Sequence, residues 1–208
     1  MKKIVLFFVF AIGLLSMSFA QTGNAKAILD KVSDKLKGNT GITANFSYTT
    51  KDRKNVVRGI KKGIIYIKGQ QYYLKQGSTE IYSNGAKSWN YNGENEVTVS
   101  NVDDDSKAFT PQKFLSNFYD KDFDYNLVSS AGSTYQIALT PVDKRKNFKQ
   151  VTVYVDKTKD LVTKAKITDK ADNVTEFTLS NINANANIPD SKFTFDPKAH
   201  PGVEVIEE

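Results

Sequence analysis

The sequence has no cysteine and a single histidine, His200. The first absence excludes disulfides, thiol nucleophiles, zinc ribbons, iron–sulfur ligation and lipid attachment at an N-terminal Cys. The second excludes a multi-histidine metal site and argues against a histidine-based triad, since His200 sits in Ala-His-Pro-Gly near the C-terminus and reads as a surface turn. There is no Gly-x4-Gly-Lys-Ser/Thr phosphate loop and no Gly-x-Ser-x-Gly elbow. Asp103 to Asp105 lack the spacing of a calcium loop. With no nucleophile or acid–base pair to assemble, the chain is expected to bind rather than catalyse, with no catalytic residue, metal or cofactor. The net charge of +6, from 29 Lys+Arg against 23 Asp+Glu, comes without a basic run. That excludes a nucleic-acid stripe and leaves only a weak bias toward anionic membrane surfaces.

What is present is apolar and periodic. Thirteen Phe, ten Tyr and 39% hydrophobic residues supply a core, and 208 residues suit one domain. Lys2 and Lys3 precede an uncharged run from Ile4 to Leu15, and Ser18 and Ala20 stand at −3 and −1 of a cleavage site. The run is short of the roughly 20 residues that span a bilayer, so 1–20 reads as a secretory signal peptide and 21–208 as a single mature domain. The mature domain is therefore expected to work beyond the membrane it is exported across.

Ala25, Ile28, Leu29, Val32 and Leu36 form one stripe at helical spacing, with Asn24 or Thr22 as cap and Gly38 as stop. From Ile42 onward the period is two. Strands are expected at Ile42 to Tyr48, Val56 to Lys68, Gln71 to Gln76, Thr79 to Ser83, Lys87 to Tyr91 and Glu96 to Asn101. Gly59 and Gly63 suggest bends or bulges inside the second. Asn84-Gly85 and Asn92-Gly93 are hairpin signals, since both residues tolerate positive φ. Thr110-Pro111 opens a short helix carrying Phe114, Leu115 and Phe118. Strands resume at Tyr125 to Ser129, Thr134 to Thr140, Lys149 to Asp156, Leu161 to Thr168 and Val174 to Asn183.

The expected fold is mainly β: a single curved antiparallel sheet of about eleven strands with a short helical lid. So wide a sheet encloses more than two short helices fill, which implies an apolar pocket. Alternation nominates Phe46, Tyr48, Ile65, Ile67, Trp89, Tyr91, Ile137, Leu139, Phe177 and Leu179 as its lining, and Phe114, Leu115 and Phe118 as the lid.

Several segments, taken in order, resemble the LolA family of periplasmic outer-membrane lipoprotein carriers. They are Ile42-Thr-Ala-Asn-Phe46, Gly63-Ile-Ile-Tyr-Ile-Lys68, Ile81-Tyr-Ser-Asn-Gly85 with Ser88-Trp-Asn-Tyr91, and Thr110-Pro111 with Phe114-Leu115. Leu139-Thr-Pro141 with Asn147-Phe-Lys-Gln150 and Lys192-Phe-Thr-Phe-Asp-Pro197 with Gly202-Val203 complete the series. The resemblance implies an open half-barrel with a helical lid over a hydrophobic cavity, and a soluble periplasmic shuttle that takes acylated lipoproteins from an inner-membrane ATP-driven exporter and passes them to an outer-membrane receptor; the chain is expected to be a monomer. It equally admits a sensor or specialised lipid carrier of the same fold. One departure stands out: the family's usual Arg after the second long strand, which helps latch the lid, falls at Gly69 here, next to Lys68. Lys68 lacks the planar fork of a guanidinium.

Overall fold

The computed structural model describes residues 17–37, 41–102 and 123–208. Helix α1 runs Met17–Lys37 and so begins before the expected caps. The expected helix at Thr110 to Phe118 lies outside the described residues.

Twelve strands follow. They are β1 Gly41–Lys51, β2 Val57–Lys68, β3 Gln71–Gln76, β4 Thr79–Ser83, β5 Lys87–Tyr91, β6 Glu96–Asn101, β7 Phe123–Ser129, β8 Thr134–Pro141, β9 Phe148–Asp156, β10 Leu161–Asp169, β11 Val174–Ala186 and β12 Glu204–Glu207. They form one sheet in the order β12-β6-β5-β4-β3-β2-β1-β11-β10-β9-β8-β7. Two meanders, β1 to β6 and β7 to β11, are therefore joined where β1 pairs with β11. The sheet is open, with β7 and β12 at its edges. The expected eleven strands become twelve because Glu204–Glu207 adds to β6, and does so in parallel. Those four residues are all exposed and carry no buried alternation to read, so period-two analysis passes over them.

The β1–β11 seam has register shifts between Gly41 and Thr43 and between Thr43 and Asn45. Bulges of this kind bend a strand and increase its twist. Gly63 has another use than the expected bend. It pairs in register with Phe46, and a Cβ there would lie 2.0 Å from Lys75 O and 2.6 Å from the Phe46 ring. The missing side chain leaves room for the Phe46 ring over the backbone. The Asn-Gly turns also work differently from expectation. Only Gly85 and Gly93 take positive φ, at 92° and 89°. Asn84 Oδ1 instead accepts from the N–H groups of Ala86 and Lys87, and Asn92 Oδ1 from those of Glu94, Asn95 and Glu96. The asparagines hold these turns as side-chain acceptors.

Alternation sorts the side chains onto two faces. Helix α1 packs Ala25, Leu29, Val32 and Leu36 on the inner face, chiefly against β7 and β10. The outer face of β2 to β6 is covered by the C-terminal segment, through Ile188, Phe193, Phe195 and Val203. Beneath it Tyr66, Tyr73, Tyr82 and Trp89 are direct neighbours on successive strands. Tyr66 and Tyr73 are 5.7 Å apart, Tyr73 and Tyr82 5.0 Å. His200, expected in a surface turn, stacks on Phe195 at 4.7 Å.

One carboxylate is buried in this outer layer. Glu80 accepts from Lys75 Nζ at 2.5 Å and from the Tyr82 hydroxyl. Burial works against its charge, but the donors from Lys75, Tyr82 and Tyr73 outweigh that and hold its pKa below the ordinary 4.5. Burial, then the Glu80 charge and its hydrogen bond, push the Tyr73 hydroxyl far up. Burial, the hydrogen bond to Glu80 and the Glu80 charge do the same for Tyr82. A lowered carboxyl pKa contributes stability that is complete above the unfolded value and disappears as pH falls through the folded one. The expected result is a urea midpoint that declines as pH drops below about 5, with a shallower decline in Glu80→Gln. Parallel acid limbs would remove Glu80 from the account.

Candidate functional site: the inner apolar face

Cross-strand register shows how the inner face is built. Ala44, Ile65, Leu74 and Ile81 lie opposite one another on β1, β2, β3 and β4. Ile42, Ile67 and Tyr72 form the next row. Toward β11 a third row runs Tyr48, Phe177, Ala165, Val153, Ile137 and Leu127. Phe46 bridges the halves, stacked on Phe177 at 5.6 Å. The result is a continuous apolar stripe across both meanders. It ends at β4 to β6 in a serine row, Ser83, Ser88 and Ser100, in which Ser88 Oγ and Ser100 Oγ are 3.0 Å apart.

The sequence-nominated residues divide as follows. Phe46, Ile65, Ile67, Phe177 and Leu179 belong to the inner cluster, and Ile137 and Leu139 lie there fully buried on β8. Tyr48 ends its row 37% exposed. Trp89 and Tyr91 need correction as lining residues. Trp89 pairs with Tyr82 and Tyr91 with Glu80, so the pleat turns both to the outer face, where they pack with Phe195 and its neighbours. Their alternation was legible, but alternation alone does not say which face of β5 looks inward. Phe114, Leu115 and Phe118 lie outside the described residues.

Sequence reasoning missed Tyr72, Leu74 and Ile81 on the inner face. The signal was there in the spacing of Tyr72 with Leu74, and the register supplied the side. Leu74 and Ile81 remain half-buried. The helix leans on β7 and β10 rather than on these strands.

Lys68 does not replace an inner-face latch. It shares the outer parity of Ile64 and Tyr66, and its Nζ donates to Ile188 O at 3.2 Å and Asp190 Oδ1 at 2.8 Å. It fastens the C-terminal segment. Among the described residues no three His, Cys, Asp or Glu side chains come together as a metal site.

The profile of the family described as "Outer membrane lipoprotein carrier protein LolA" matches residues 37–196, which takes in the whole sheet except β12. The chain belongs to the LolA family. It is 30% identical over 114 residues to the outer-membrane lipoprotein carrier protein of Francisella tularensis subsp. tularensis (strain WY96-3418), covering 52% of each chain. It is 32% identical over the same length to that of subsp. novicida (strain U112). The chain thus spans about half the length of the curated relatives it matches. The fold is shared with an uncharacterized conserved protein of Thermus thermophilus, at TM-score 0.60 and 14% identity over 88% of this chain and 98% of that one. It is shared also with MucB in the Pseudomonas aeruginosa MucA/MucB complex, at TM-score 0.53 and 13% identity over 84% and 62%. The LolA fold is therefore common to proteins of different assemblies, and the face it presents has to carry the functional argument.

Proposed function

We propose that this protein is a periplasmic carrier that holds the acyl chains of lipoproteins against the inner face of its sheet. The observation that carries the reading is the apolar stripe from Ile81 through Leu74, Ile65 and Phe46 to Phe177, in a chain of the LolA family. Three acyl chains of roughly 15 methylenes, at about 0.8 kcal/mol each, represent on the order of 36 kcal/mol of exposure to water, so free transit is prohibitive. An open sheet lowers that cost while leaving an exit, which suits a carrier that must release. In this reading residues 1–20 direct export and are removed after Ala20. The cargo is received from an inner-membrane ATP-driven exporter and given up to the outer membrane or a receptor there. The chain acts as a monomer and catalyses nothing.

The test is native mass spectrometry of the protein isolated from periplasm. The expected result is one-to-one complexes with acylated lipoproteins. A bound lipid without a polypeptide would assign the same face to a specialised lipid carrier or sensor. An empty protein that also refuses added lipoprotein would overturn the proposal.

A further inference from the structure

Three connections meet at one end of the sheet: β1–β2, β8–β9 and β10–β11. Lys51 pairs with Val57 on one side and Val174 on the other, Val174 with Thr168, and Thr168 with Gln150. Lys170 N donates to Asn147 O across two of these loops. Residues 51–62, 142–150 and 169–176 together carry eleven Lys and Arg against five Asp and Glu. Charges that are scattered along the chain are thus gathered on one rim.

The acids of the rim are already engaged. Asp52 binds Arg58, Asp143 binds Arg145 at 2.9 Å, and Asp172 binds Lys149. Glu176 binds Lys51 at 2.8 Å and Lys164 at 3.3 Å. Asp169 accepts from the N–H groups of Ala171 and Asn173 and from Asn173 Nδ2. Arg53, Lys54, Lys61 and Lys62 are exposed and have no ion-pair partner among the described residues. Between these cations stand exposed aliphatics: Val56 and Val57 at 48%, Val142 at 54% and Ile60 at 58%. A shallow depression between two of the loops is lined by Asp52, Arg53, Lys54, Arg58, Ala171 and Asn173. The inner-face stripe reaches the same rim, because Tyr48 sits opposite Lys61.

We propose that this rim docks on an anionic membrane surface, its cations meeting lipid phosphates and its aliphatics entering the headgroup boundary. Clustered Lys and Arg are drawn to anionic leaflets, and apolar side chains beside them add burial at the interface. A protein partner is the poorer fit. The exposed aliphatics are Val56, Val57 and Ile60 around the β1–β2 connection and Val142 in the β8–β9 loop, interleaved with cations and forming no desolvated pocket, an arrangement that suits a fluid surface better than a rigid partner. Docking goes beyond the carrier reading and does not depend on it.

The test is flotation of the purified, cargo-free protein with vesicles of phosphatidylglycerol in phosphatidylcholine, roughly one part to two, against phosphatidylcholine alone. The expected result is binding to the anionic vesicles only, lost at high salt. Arg53→Glu with Lys54→Glu should weaken it at least roughly twentyfold, since each rim charge is worth about fivefold. Val57→Asp with Ile60→Asp should weaken it as well. Lys87→Glu, at the other end of the sheet, should leave it unchanged, and circular dichroism should show every variant folded. Four results would overturn the proposal: no binding to either vesicle, equal binding to both, unaltered binding by the folded rim variants, or capture by polyglutamate without vesicle binding. The protein is tested empty, so failure here leaves the carrier reading standing, and failure of cargo co-purification leaves the docking result standing.

Discussion

A Leu74→Asp/Ile81→Asp double variant is expected to lose lipoprotein loading while keeping a folded sheet. The two residues face each other across β3 and β4 on the inner face, with Ile65 beside Leu74. Aspartates there place two carboxylates side by side along the proposed path of the acyl chains. Each would have to give up water when cargo binds, or keep it and hold the chains away. Losing contact with only about five methylenes costs about 4 kcal/mol, close to a thousandfold in affinity. Both residues are half-buried against the core, so the facing carboxylates keep part of their hydration and cost some stability without abolishing the sheet. Native mass spectrometry should show occupancy falling below detection, with the β circular-dichroism signal retained and the urea midpoint lowered. Leu74→Met/Ile81→Met, which preserves apolar volume, should still load. Full loading of a folded aspartate variant would place the cargo elsewhere.

Phe193→Ala is expected to give the largest loss of stability. Phe193 is fully buried and heads the side chains of that class by volume among the described residues. It ends a short 310 turn, Asp190–Phe193, in the segment that crosses the outer face over β3 and β4. Around it Phe195 meets Tyr82 and Tyr91, each at 5.7 Å, and Lys192 Nζ lies 3.6 Å from the centre of the Tyr73 ring. Truncating a buried Phe removes its transfer energy and leaves a cavity, together about 3–5 kcal/mol. For a chain of this size that lowers Tm by roughly 10 °C. Thermal and urea unfolding should both report it. The inner face is formed by the opposite side chains of the same strands, so loading by the protein that remains folded should persist at low temperature. A loss under about 1 kcal/mol would mean that the segment decorates the sheet rather than holding it.

Most of the strand map was legible because β3 to β6 and β8 to β11 obey a simple rule. Period-two runs are bounded by Gly, Asn or Asp turns, and these boundaries fall within a few residues of those observed. Ile65 and Ile67 were nominated as lining for the same reason, and both belong to the inner cluster. Trp89 and Tyr91 show where the rule ends. Alternation states that two residues share a face, but only pairing with Tyr82 and Glu80 states which face it is. Gly63 gave a second ambiguity, since a strand glycine signals either a bend or a close approach. The Phe46 ring above it decides for the latter.

By itself the sequence determined the class of the molecule: a cysteine-free β chain with one stripe-bearing N-terminal helix, no motif-borne chemistry and the ordered segments of the LolA family. These are local properties, set by side-chain period, turn residues and composition. The tertiary structure decided what depends on residues far apart in the chain. It fixed the β1–β11 seam that joins two meanders into one inner face, the C-terminal segment fastened by Lys68 over the outer face, and the rim where cations from three separate loops converge. None of these has a signature in any single stretch of sequence. The seam and the rim follow from strand register, and the covered outer face from the packing of Asp190–Phe193 over β3 and β4.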